Sequence, residues 1–67
     1  MTQYQIIQAI ITDLEEKISE VEEKNKTLQK MCNFLEIEDP ELKESKEKVK
    51  ELKERLHKEK ARLLNLN

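Results

Sequence analysis

The chain predicts an all-α fold: an antiparallel two-helix hairpin, coiled-coil-like, that dimerises into a four-helix assembly. Three observations carry this. The 67 residues contain no glycine and one proline, so strong turn punctuation occurs at one place only. Charged residues make up 42% of the chain and aromatics 3%, which suits a long solvated helix and is a poor basis for a β-sandwich or an α/β fold. Apolar residues recur at alternating three- and four-residue steps on both sides of the proline.

The first helix is expected over residues 2–36. Thr2 and Gln5 have the spacing of a capping box, so the helix can begin almost at the N-terminus. Tyr4, Ile11, Ile18, Asn25 and Cys32 take heptad position a, and Ile7, Leu14, Val21, Leu28 and Leu35 take d, a seam with one polar interruption. A turn at 37–39 ends it. Asp39 is a good N-cap, Pro40 suits the first helical position, and Glu41 favours the positive end of the helix dipole, so a second helix is expected over 40–64. Its apolar positions Leu42, Val49, Leu52, Leu56, Leu63 and Leu66 keep the rhythm but change phase: Leu42 becomes an a position where an unbroken register would make it d. One continuous rod would have to absorb both a proline and a register shift, whereas a reversal explains both. Residues 1–67 then form a single domain.

Folding back at Pro40 pairs a with d. Leu35 meets Leu42, Leu28 meets Val49, Val21 meets Leu56 and Leu14 meets Leu63, each pair of residue numbers summing to 77. These eight side chains are the expected hairpin core. The layers between them set Cys32 near Ser45, Asn25 near Leu52, Ile18 near Glu59 and Ile11 near Leu66. One flank is complementary, with Glu15, Glu22 and Glu36 facing Lys46, Lys53 and Lys60. The other sets Lys17 and Lys24 against Lys48, Arg55 and Arg62, which repel unless acids from another chain approach. Exposed pairs are worth only about 0–1 kcal/mol, so charge selects among arrangements without holding the fold.

This register leaves residues 1–10 without an intramolecular partner, an overhang of about 15 Å at 1.5 Å per residue. Tyr4, Ile6, Ile7 and Ile10, continuing into Ile11, would make it a sticky end, either a contact between two copies of the chain or a dock for another protein. Self-contact is the preferred reading because a core this small asks for an oligomer. Asn25 points the same way: an a-position asparagine can fix register by pairing with its symmetry mate, although it can also sit hydrated at the margin of the seam. A parallel dimer of first helices is the rival arrangement. Met31, Phe34 and Ile37 lie off the seam, as a cap on the closed end or as a second small contact patch.

Chemistry is sparse. Cys32 is the only thiol and His57 the only histidine, so no disulfide framework or metal cluster is expected, nor any cofactor or catalytic residue. Cys32 at an a position reads as a small buried hydrophobe, and His57 as a solvent-facing residue. Asp39, Pro40, Glu41, Leu42 and Ser45 resemble the start of the second helix in small bacterial sporulation phosphatases, which are also two-helix hairpins. The resemblance stops where their serine, glutamine, glutamate, leucine, aspartate signature should follow: Ser45 precedes Lys46, Glu47, Lys48 and Val49, so the activity is not implied.

A non-enzymatic interaction or oligomerisation module is therefore expected, an adaptor, assembly factor or small inhibitor that presents helix faces to a protein partner. The alternative is a nucleic-acid-binding hairpin dimer. Residues 1–39 carry 4 basic and 9 acidic groups and residues 40–67 carry 9 and 6, so a net -5 and a net +3 make up the total of -2. Lys46, Lys53, Arg55, Lys60 and Arg62 could then track a phosphate backbone. The N-terminal stretch lacks the basic start of a signal peptide and no run approaches a membrane span, so a soluble cytoplasmic protein is expected, with no membrane partner.

Overall fold

The computed structural model describes residues 2–66. Met1, the first residue of the expected overhang, and Asn67, the last of the expected domain, lie outside the described residues. Two helices pack against each other, α1 (Gln3–Leu35) and α2 (Pro40–Leu64), in a rod of 51 × 15 × 13 Å.

Local chemistry sets each boundary. At the start of α1 the Thr2 hydroxyl accepts the Gln5 N–H at 3.2 Å and the Gln5 side chain accepts the Thr2 N–H at 3.1 Å, closing a capping box. At the start of α2, Asp39 accepts the Glu41 N–H at 2.9 Å, and Pro40 occupies the first turn, where its missing N–H would have had no partner. Between them α1 stops at Leu35, one residue short of expectation. Glu36 is left-handed at φ 55°, ψ 42°, and the Ile37 N–H returns to the Cys32 carbonyl at 3.0 Å. This is a Schellman-type closure built without the glycine that usually occupies it.

The helices do not meet in the expected register. In the seam Asn25 meets Ser45, a sum of 70 and one heptad from the expected 77, and along the e flank Glu22 meets Lys53 and Gln29 meets Lys46, each pair summing to 75. The polar groups of the seam supply the reason. A sum of 77 sets Asn25 against Leu52 and Ser45 against Cys32, leaving both polar side chains with apolar neighbours. In the observed register the Ser45 hydroxyl donates to Asn25 Oδ1 at 2.6 Å. An unsatisfied buried polar group costs about 1–3 kcal/mol, enough to decide between two otherwise similar apolar stacks.

Burial follows from that register. Ile7, Ile11, Leu14, Ile18, Asn25 and Cys32 are buried in α1, with Leu42 and Val49 in α2. Val21, Leu28, Leu52, Leu56 and Leu63 are half-buried. Leu35, expected in the core against Leu42, is instead 55% exposed, because with Asn25 level with Ser45 the start of α2 falls short of Leu35. The expected ten-residue overhang is also shorter. Ile7 is only 2% exposed and Ile10 half-buried, covered by the end of α2 and the turn that follows it. Glu59 is the odd member of the seam: its side chain is 12% exposed at a d position and is held by Arg62 at 3.1 Å.

Two stability measurements check this account. Glu36→Gly should raise the unfolding free energy by about 1 kcal/mol, read from urea unfolding at fixed chain concentration, because a left-handed β-carbon costs about that much. Ser45→Ala alone should cost about 1–3 kcal/mol by stranding Asn25. The double change Asn25→Leu/Ser45→Ala should be near neutral or stabilising, since it removes both partners. Equal losses in the single and double variants would show that the Asn25–Ser45 pair does not set the register.

Candidate interaction surfaces

Helical geometry distributes the exposed side chains over distinct faces. Successive residues turn by about 100°, so rows seven residues apart stay aligned. With the a and d positions turned towards the opposite helix, the e and b rows form one flank and the g and c rows the other.

Of the residues expected at the partner surface, Ile7, Ile11 and Asn25 are buried within the chain itself. Asn25 is satisfied by Ser45 and so does not await a symmetry mate. Tyr4 and Ile6 remain open at 50% and 46% exposure, with Leu64 at 75% and Leu66 at 40% near the same end of the rod. A second apolar patch lies at the closed end. Phe34 is 87% exposed, Met31 54% and Ile37 54%, joined by the displaced Leu35. The Schellman closure turns the chain away before these side chains can fold under it. In the sequence, Met31 and Phe34 stand at g and c, off the seam, which is the signal that marks them as uncovered.

The five basic residues expected to follow a phosphate backbone do not share a surface. Lys46, Lys53 and Lys60 stand at e, whereas Arg55 and Arg62 stand at g on the opposite flank. The e flank is where the helices are cross-linked by charge: Lys53 meets Glu22 at 3.3 Å, and Lys46 donates to Gln29 at 2.7 Å. Lys43 and Lys50 at b extend that row, so five exposed lysines, with His57 among them, line one side of α2 without an interposed acid. The three-and-four spacing of residues 43, 46, 50, 53, 57 and 60 was the sequence signal for it.

On the g flank the opposed residues are Lys17 and Lys24 of α1 and Lys48, Arg55 and Arg62 of α2. Lys17 finds Asp13 one turn back at 3.3 Å, and Arg62 finds Glu59. Among the described residues these are the ion pairs formed within single helices; the three steps Glu44–Lys48, Glu51–Arg55 and Glu54–Lys58 do not close. An open groove of about 820 Å³ runs along this flank, floored by half-buried Val21 and Leu28 and bordered by Glu20, Lys24, Thr27 and Glu41.

Among the described residues no cluster of three or more His, Cys, Asp or Glu side chains is placed to hold a metal ion. None of the helices is long and apolar enough to cross a membrane. Comparisons with protein-family models, curated proteins and solved structures return no match.

Proposed function

We propose that this chain is a non-enzymatic interaction and oligomerisation module of the cytoplasm. It presents helix faces to a protein partner and assembles as a dimer of hairpins. The observation that carries the reading is the exposure of large apolar side chains in two patches at opposite ends of one rigid rod, Tyr4 and Ile6 at one and Met31, Phe34 and Ile37 at the other. Scattered apolar residues need no explanation, but clustered ones mark places where water is to be displaced by another chain. A photo-reactive p-benzoylphenylalanine at Phe34 or Ile6, activated in cells, should form adducts with protein, either this chain or another. The same group at Lys50, on the opposite flank, should give few. Absence of protein adducts at both apolar positions would overturn the reading.

A second reading has one observation behind it, the unbroken lysine row on the e and b flank. Lys43 to Lys60 covers about 25 Å of helix at 1.5 Å per residue. If that row follows a nucleic-acid backbone and neutralises five phosphates, affinity should fall with salt at a log–log slope near about -4 to -5. Lys46→Glu/Lys50→Glu should then weaken binding to every sequence alike. Duplex RNA and DNA that leave the protein free at 50 mM salt would dispose of this alternative.

A further inference from the structure

The c and g rows of α1 read, from the N-terminus, Gln3, Ile6, Ile10, Asp13, Lys17, Glu20, Lys24, Thr27, Met31 and Phe34. The row is apolar at each end and charged in the middle, and its charges alternate in sign. We infer that this face docks onto the same face of a second copy running antiparallel, with the two-fold axis between Ile18 and Ser19. The inference rests on the interaction reading above and supplies its partner.

The register is set by the row itself. Antiparallel helices bring a position of one row opposite a position of the other, so c of one chain should meet g of its neighbour. With residue numbers summing to 37, Ile6 meets Met31 of the second copy, Asp13 meets Lys24 and Lys17 meets Glu20. Each pair occurs twice through the symmetry axis, giving four intermolecular ion pairs between two apolar ends. The end patches are about 37 Å apart, 25 residues at 1.5 Å. An antiparallel and a parallel copy of the same length would both bring apolar side chains to the two ends. The middle decides between them: in the antiparallel copy Asp13 meets Lys24 and Lys17 meets Glu20, whereas an in-register parallel copy stacks like charges.

Three features of the isolated hairpin agree. All four central charges are exposed, and Asp13 and Lys17, which pair with each other at 3.3 Å in the isolated hairpin, exchange that exposed contact for the intermolecular ones. Val21 and Leu28, half-buried beside this face, still touch solvent through the open groove. The surface area also fits: a folded 8.0 kDa monomer exposes roughly 4,500 Å² by the usual scaling with mass, whereas this chain exposes 5810 Å². The excess of roughly 1,300 Å² is more than the roughly 800 Å² one partner contributes to a standard interface.

Charge reversal on exposed positions tests the idea without disturbing the seam. The variant Asp13→Lys/Glu20→Lys makes the middle of the face wholly basic, and Lys17→Glu/Lys24→Glu makes it wholly acidic. In sedimentation equilibrium at 0.15 M salt, wild type should have twice the 8.0 kDa chain mass. Each variant alone should be monomeric, with helical circular dichroism unchanged, and an equimolar mixture should recover the dimer. Orientation is read separately in a Cys32→Ser background: Ile6→Cys mixed with Met31→Cys should oxidise to the mixed disulfide in at least tenfold excess over either homodisulfide. Monomeric wild type at 100 µM, dimeric single variants, a monomeric mixture or a predominant Ile6→Cys homodisulfide would each overturn the inference. A monomer that nonetheless photo-cross-links to a different protein at Phe34 would sink self-docking and leave the interaction reading standing, so the two failures are distinguishable.

Discussion

The reversal between Leu35 and Pro40 is the constraint on which the remaining geometry depends. Two helices that fold back on each other can each bury one stripe, and a stripe made of a and d positions is about two-sevenths of the surface of each helix. Everything outside it stays in water unless a further chain arrives. In α1 the outer positions at both ends include isoleucine, methionine and phenylalanine, whereas in α2 they are mostly lysine, arginine and glutamate, with exposed Leu64 at its C-terminal end. The asymmetry leaves more exposed apolar surface on α1 than on α2. Its charged outer face is already the kind that keeps a helix solvated.

Ion pairs have a secondary part in this arrangement. The Lys53–Glu22 pair and the Lys46–Gln29 hydrogen bond tie the helices along one flank, yet their side chains are about half exposed and such contacts contribute little. Their value is discriminatory. A displacement of one heptad would set the lysine row beside acids again, so these charges favour the antiparallel arrangement without choosing between registers. The opposite flank, crowded with Lys17, Lys24, Lys48, Arg55 and Arg62, has intrahelical acids for only two of the five. That leaves Lys24, Lys48 and Arg55 on this edge outside the ion pairs formed among the described residues.

Much of the hairpin could be read from the sequence because its signals are local and strong. Proline at N1 behind an aspartate cap, a capping box at Thr2, and a phase change in the heptads each have one structural meaning. The two helices fall where those signals put them, to within a residue at Glu36. The register between the helices was harder, for a physical reason. Counting apolar layers favours a sum of 77, which matches four pairs of large side chains but scores Asn25 and Ser45 only as blemishes. The chain weighs them differently, since a hydroxyl and an amide brought together remove a penalty that no apolar layer offsets. From that displacement, which sets Ser45 level with Asn25 one heptad away from the expected layer, follow the exposure of Leu35 and the burial of Ile7. The expected sticky end therefore lies partly in the seam, and Met31 and Phe34, expected as a cap on the closed end or as a second contact patch, are exposed.

The Asn25–Ser45 pair has a further consequence for assembly. A displacement of one heptad along the seam would restore most apolar layers but separate the two polar groups, so the pair acts as a register pin of the kind that a buried asparagine provides in coiled coils. The ends of α2 decide how much of α1 is covered: a slide in one direction would uncover Ile7, now 2% exposed, and a slide in the other would change the exposure of Leu35. Either would change which apolar side chains of α1 face water, while the c and g rows themselves would stay fixed on the helix. One hydrogen bond of 2.6 Å in the middle of the seam thus determines how much of each end of α1 is left for another chain to cover.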